Sequence, residues 1–225
     1  MDTNSIISQI GNTPLVRLIQ PSELTGCNIY GKAEYFNPGE SVKDRAALFI
    51  VQDAIKKKLI SKGGTIVEGT AGNTGIGLAI VCKEYGLKLK IVIPKTQSVE
   101  KKETLKKLGA ELIEVEAVPY DNPNNYIKKS KKISEELNKI EKNGVYWANQ
   151  FDNTINTEAH IRTTAEEIWN QTAGKVDAFT CSVGTGGTLA GISIGLKNKN
   201  KNIKIALSDP MGSSLYSYVK HNKME

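Results

Sequence analysis

The segment Asn37-Pro38-Gly39-Glu40-Ser41-Val42-Lys43-Asp44-Arg45 sets a lysine behind a proline–glycine turn, in the first turns of an expected helix. Such a lysine can be one more exposed cation. It can also be a Schiff-base amine, which must be partly desolvated so that its pKa falls and it becomes a nucleophile. Position at a helix N-terminus helps, because the helix dipole there disfavours an added positive charge. The segment alone leaves both readings open.

Two further segments open helices directly after strand-like runs, the edge of a parallel α/β fold where ligands bind. In Glu68-Gly69-Thr70-Ala71-Gly72-Asn73-Thr74-Gly75-Ile76-Gly77, hydroxyls, an amide and free backbone N–H groups gather at a helix N-terminus. That turn suits a carboxylate or phosphate. It equally suits a plain cap, with Asn73 or Thr74 capping and the glycines serving the turn. In Cys181-Ser182-Val183-Gly184-Thr185-Gly186-Gly187-Thr188-Leu189-Ala190-Gly191, a small-residue loop with two threonine hydroxyls precedes a helix and makes a good phosphate cradle. It is not the dinucleotide fingerprint, which wants Gly or Ala where this chain has Leu189, and no G-x-x-x-x-G-K-[ST] run is present. A phosphate site is expected, with nothing specific to a nucleotide.

Other chemistries find no support. The two histidines, His160 and His221, have no His, Cys or carboxylate set at zinc spacing, so no metal site is expected. No G-x-S-x-G elbow appears, and a histidine-dependent triad would lack any supporting motif. Cys27, Cys82 and Cys181 are odd in number and widely spaced. They read as small buried apolar residues in a reducing compartment rather than as disulfide partners. The net charge of +6 comes from lysines interspersed with acids, as in Lys128-Lys129 with Lys131-Lys132-Glu135-Glu136. That pattern is a solvated helix face rather than a nucleic-acid surface. No apolar run approaches the roughly 20 residues of a membrane helix, and the start Met1-Asp2-Thr3-Asn4 lacks signal-peptide features. A cytoplasmic protein without a membrane partner is expected.

The elements that must position these segments alternate. Strands are predicted at 15–18, 29–34, 65–68, 90–93, 111–115, 145–147, 178–181 and 203–207. Helices are predicted at about 41–58, 74–85, 99–108, 124–142, 158–171 and 188–197. Repeated strand–helix–strand units imply an α/β fold with parallel sheet and helices on both faces. Two doubly wound units are expected. A smaller one, residues 40–148, bears the Thr70–Gly77 loop, and a larger one, residues 1–39 plus 149–225, bears the glycine–threonine loop.

At this point the residues resemble a family. Ile10-Gly11-Asn12-Thr13-Pro14-Leu15-Val16, the lysine segment, the Thr70–Gly77 loop, Asn149-Gln150-Phe151-Asp152-Asn153 and Gly184–Thr188 stand in the order found in cysteine synthase, or O-acetylserine sulfhydrylase, and its cystathionine β-synthase relatives. The resemblance runs from Ser5 to Tyr216. It implies the tryptophan synthase β-like fold and pyridoxal 5′-phosphate as cofactor. Lys43 would bind the cofactor covalently and act as base on the substrate α-proton. Asn73 would bond the cofactor 3′-oxygen, and Gly184, Thr185, Gly186, Gly187 and Thr188 would hold its phosphate. Thr70, Gly72, Thr74 and Gln150 would grip the substrate carboxylate. The implied reaction eliminates acetate from O-acetylserine and adds sulfide to give L-cysteine, with homocysteine as the alternative nucleophile. Thr74, where related dehydratases usually carry histidine, favours replacement over dehydration. The resemblance also implies a homodimer and a serine acetyltransferase partner.

Two departures stand out. Gly69-Thr70-Ala71 replaces the Pro-Thr-Ser of much of the family, so Ala71 lacks a hydroxyl. Family chains also continue past Ser208-Asp209-Pro210 to supply a serine for the pyridine nitrogen and the rest of the larger unit. The larger unit is therefore expected to be incomplete, and a truncated, non-catalytic homologue stands as the alternative to an active enzyme.

Overall fold

A computed structural model describes residues 5–223. A 3-10 turn, Ile6–Gln9, leads to strand β1 (Leu15–Arg17), helix α1 (Ile19–Thr25) and strand β2 (Tyr30–Lys32). A second 3-10 turn, Glu34–Phe36, precedes α2 (Lys43–Lys56), β3 (Thr65–Gly69), α3 (Asn73–Tyr85), β4 (Lys88–Pro94), α4 (Val99–Lys107), β5 (Glu111–Val115), α5 (Tyr126–Leu137) and β6 (Val145–Trp147). Then come α6 (Ile155–Ala159), a π-helical turn (His160–Thr164), α7 (Ala165–Gln171), β7 (Ala178–Cys181), α8 (Gly187–Lys199), β8 (Lys204–Leu207) and α9 (Ser214–His221).

The main sheet has the order β5-β4-β3-β6, with every neighbouring pair parallel. The β-branched runs Ile66-Val67 and Ile91-Val92-Ile93 are fully buried, as a parallel sheet covered on both faces requires. Ile66, Leu89, Ile91 and Ile93 meet Ile50, Val51, Leu78 and Val81 of α2 and α3 in one core. Alternation turns Val67 and Val92 to the other face, where α5 packs across β3, β4 and β6. The approach of α5 is close: a Cβ at Gly69 would lie 2.7 Å from the Tyr126 carbonyl oxygen. That packing leaves no room for a side chain at Gly69. A smaller core joins Ala165, Ile168, Ile192, Leu196 and Ile203, with Phe179 and Ile205 of the parallel pair β7–β8 packed against it.

Some expectations change. The first two strands pair antiparallel, Leu15 opposite Lys32, because the connection between them, residues 18–29 with helix α1, turns the chain back on itself. Within it Ser22 Oγ donates to Leu18 O at 2.6 Å and accepts from Ile29 N at 3.0 Å. Helix α1 lies where no helix is predicted; its Pro21 sits in the first turn, where no intrahelical N–H bond is lost. Helix α5 is shorter than predicted and begins where Asn125 Oδ1 caps Ile127 N at 3.0 Å. Cys27 is exposed, whereas Cys82 is buried and its thiol is pushed up to about 12 by burial. Among the described residues no helix is long and apolar enough to cross a membrane.

Candidate functional site

Lys43 is the first residue of α2. Ser41 Oγ accepts from its backbone N–H at 3.3 Å. The buried Asp44 carboxylate accepts from the Gly39 N–H, which pins the proline–glycine turn to the helix start. A Cβ at Gly39 would collide with that carboxylate. Burial, with a contribution from Glu34, pushes Asp44 up to about 6. The Lys43 amine is half-buried and has no hydrogen-bond or ion-pair partner among the described residues. Burial lowers its pKa below the usual lysine range, partly offset by the Cys181 thiol within electrostatic reach. Cys181 ends β7, so the amine lies close to the strand that leads into the Gly184–Thr188 loop.

The two glycine-rich loops open α3 and α8. Gly72 is the N-cap of α3, and Thr70 Oγ1 accepts from its N–H at 3.2 Å. Thr70 and Thr74 are buried, whereas Asn73 is exposed. The Thr74 hydroxyl donates to Gln150 Oε1 at 2.5 Å, which joins the first loop to the chain after β6. Gly186 takes φ +88° as N-cap of α8. The N–H groups of Gly184, Thr185 and Gly186 have no acceptor among the described residues. A Cβ at Gly72, Gly184 or Gly186 would meet nothing within 4 Å, so both loops face open space. An unpaired, partly desolvated amine beside two helix N-termini with free donors fits a phosphorylated aldehyde.

Sequence reasoning missed the groups that hold this arrangement. Arg45, 1% exposed, clamps two carboxylates. Its Nε lies 2.7 Å from Glu34 Oε2 and its Nη1 lies 2.6 Å from Glu167 Oε1. Its Nη2 donates to Glu34 Oε1 and to Glu167 Oε2, each at 2.8 Å. The Ile10–Val16 motif docks on this cluster: Gly11 N–H donates to Asn37 Oδ1, Asn12 N–H to Glu167 Oε1 and the Thr13 hydroxyl to Glu34 Oε1. Lys32 adds an ion pair of 2.6 Å to Glu167. The N-terminal motif is therefore a brace for the lysine helix.

Glu68, 1% exposed, is the last residue but one of the strand below the first loop. Its Oε1 accepts from Gln150 N–H at 3.4 Å, and its Oε2 has no hydrogen-bond partner among the described residues. Burial outweighs the hydrogen bonds from Gln150 and Asn149 and pushes the carboxyl up from 4.5 to about 8. A raised folded-state value means that its contribution to stability is full below 4.5 and declines as pH rises towards 8. Glu68→Gln is expected to remove this decline, which is at most about 1.4 kcal/mol per pH unit for one group. Urea unfolding of both proteins from pH 5 to 9 checks it, and parallel stability profiles would refute it.

The fold and this site define a class: an α/β protein with a partly desolvated lysine opening one helix, and with anion-receptive N-termini of two more helices, each following a parallel strand. The chain belongs to the family of pyridoxal-phosphate dependent enzymes, whose family model matches residues 6–225. It is 57% identical over 218 residues to cysteine synthase 1 of Emericella nidulans, covering 96% of this chain and 58% of that protein. Its fold matches the crystal structure of cysteine synthase from Entamoeba histolytica with a TM-score of 0.84 at 40% identity, covering 95% of this chain and 62% of that one. It matches a hydrogen sulfide-producing enzyme from Fusobacterium nucleatum with a TM-score of 0.82 at 40% identity, over 99% and 69% of the two chains. The chain spans little more than half the length of the curated relatives it matches.

Proposed function

We propose that Lys43 holds pyridoxal phosphate and that the chain carries out β-replacement, forming L-cysteine from O-acetylserine and sulfide. The observation that supports this most is the unpaired Lys43 amine, with its lowered pKa, close to the loop that opens α8. When bound, pyridoxal phosphate supplies an electron sink for charge developing at the substrate α-carbon. The Lys43 amine holds the cofactor aldehyde and moves the α-proton. Gly184, Thr185, Gly186, Gly187 and Thr188 hold the phosphate with N–H and hydroxyl donors. Asn73 bonds the 3′-oxygen. Thr70, Gly72, Thr74 and Gln150 orient the substrate carboxylate, assisted by the positive end of α3.

Residues 40–148 act as the smaller unit in this reading and the remainder as the larger, and closure of one on the other excludes water from the site. The main sheet, residues 65–147, lies wholly within the first. A second copy of the chain and a serine acetyltransferase are the protein partners this reading assigns, in the cytoplasm. The test is to supply pyridoxal phosphate, O-acetylserine and sulfide and to assay cysteine. Cysteine formation supports the proposal. Cofactor uptake without turnover would favour a non-catalytic homologue, and turnover only with homocysteine would shift the nucleophile.

Ala71 enters here. Its N–H and that of Asn73 have no acceptor among the described residues and remain available to a carboxylate. Ala71→Ser adds one donor and is expected to lower the KM for O-acetylserine by up to about tenfold, one hydrogen bond to a charged group. Steady-state kinetics checks this, and an unchanged KM would show that the backbone donors suffice.

A further inference from the structure

The phosphate cradle is held from beneath by one polar stripe. Asn156, His160 and Thr164 follow one another at four-residue spacing through α6 and the π-helical turn, and all three are buried. Asn156 Nδ2 donates to Thr185 Oγ1 at 2.9 Å and to Gln150 O at 3.0 Å. His160 Nε2 lies 3.2 Å from Thr188 Oγ1, and its Nδ1 lies 2.9 Å from Thr164 Oγ1. Helix α8 can sit this close because Gly187 and Gly191 face the stripe. A Cβ on Gly187 would strike the Asn156 side chain, and one on Gly191 would lie 2.6 Å from the His160 Cβ.

The donors around each hydroxyl bear on where its proton points. Thr185 Oγ1 accepts from Asn156 and, at 3.4 Å, from Gly187 N–H, so its own proton is free to point outward. The His160 ring is neutral: burial, reinforced by Arg45 and Lys43, lowers it to about 4. A neutral imidazole carries one N–H. In the tautomer whose Nδ1 accepts from the Thr164 hydroxyl, the N–H lies on Nε2 and donates to Thr188 Oγ1. The Thr188 proton is thereby also left outward.

We infer that Asn156 and His160 are positioning residues that turn the Thr185 and Thr188 hydroxyls into a matched pair of hydrogen-bond donors for a phosphate dianion. This rests on the proposed phosphate role of the Gly184–Thr188 loop. Asn156 also ties that loop to Gln150, so the phosphate grip and the proposed carboxylate grip share one side chain.

The test titrates the cofactor-free chain with pyridoxal phosphate and, separately, with pyridoxal, which has the aldehyde but no phosphate. Thr188→Val first tests the loop: a weakening of roughly tenfold for pyridoxal phosphate alone is expected for loss of one hydrogen bond to a charged group. No change there overturns the loop reading itself. Asn156→Asp keeps the shape but replaces the donor by an acceptor that draws the Thr185 proton inward. It should weaken pyridoxal phosphate by more than tenfold and pyridoxal by less than twofold. His160→Leu should lose about tenfold for pyridoxal phosphate, and His160→Gln, whose amide can supply the N–H, should recover most of it. The ³¹P resonance of the bound phosphate should shift in Asn156→Asp and His160→Leu. If Thr188→Val weakens binding while Asn156→Asp and His160→Leu leave both ligands unchanged, or weaken both equally, the positioning role is overturned.

Discussion

On the proposed function, Lys43→Ala is expected to abolish covalent capture of pyridoxal phosphate and to lower cysteine formation by about 10²- to 10⁴-fold, the contribution of a positioned proton-transfer group. The expectation follows from what surrounds the amine. No carboxylate among the described residues pairs with it, so removing it strands no charge there, and the side chain is only half-buried. The fold should therefore persist, with an unchanged circular dichroism spectrum. Cofactor should still bind weakly through the donors that open α8. Absorbance of the variant under cofactor saturation is the check. A visible band like that of the parent chain would mean that another amine does the work.

Arg45→Met has the largest expected effect on stability. Glu34 and Glu167 lie in one cluster on the two sides of the guanidinium, and each is held by two of its nitrogens. Removing one member of a buried ion cluster leaves its partners uncompensated and costs about 3–5 kcal/mol. The loss should depend on pH. Arg45 and Lys32 outweigh burial and hold Glu167 down at about 2, against an ordinary value of 4.5, and Glu34 is lowered as well. Depressed values stabilise the fold above pH 4.5, and that contribution is lost as pH falls towards 2. The deficit of Arg45→Met should accordingly be largest at pH 7 and shrink in acid, where its carboxyls take up protons. Denaturant unfolding of both proteins at pH 7 and pH 4 measures it. A deficit under about 1 kcal/mol at pH 7, typical of surface pairs, would show that the cluster braces nothing.

The sequence pointed to the candidate chemical groups but not to their supports. Short β-branched runs such as Ile91-Val92-Ile93 and capped helices such as Val99–Lys107 are local signals, and those elements lie where they are expected. Glycine–threonine turns before helices announce anion binding through backbone geometry alone. Arg45 gave no such sign, because its partners stand 11 and 122 residues away in the chain. His160 was set aside for want of a metal or triad motif. The available clue was spacing: Asn156, His160 and Thr164 put three polar side chains on one buried helical stripe, and Gly187 and Gly191 make the complementary groove. The antiparallel start also escaped notice, since strand direction depends on how the connection closes.

The most direct measurement is chemical. The chain is incubated with one equivalent of pyridoxal phosphate, reduced with borohydride, digested and mapped by mass spectrometry. The account predicts a single labelled peptide with the pyridoxyl group on Lys43. Label absent from Lys43, or spread over the exposed lysines of α4 and α5, would contradict it.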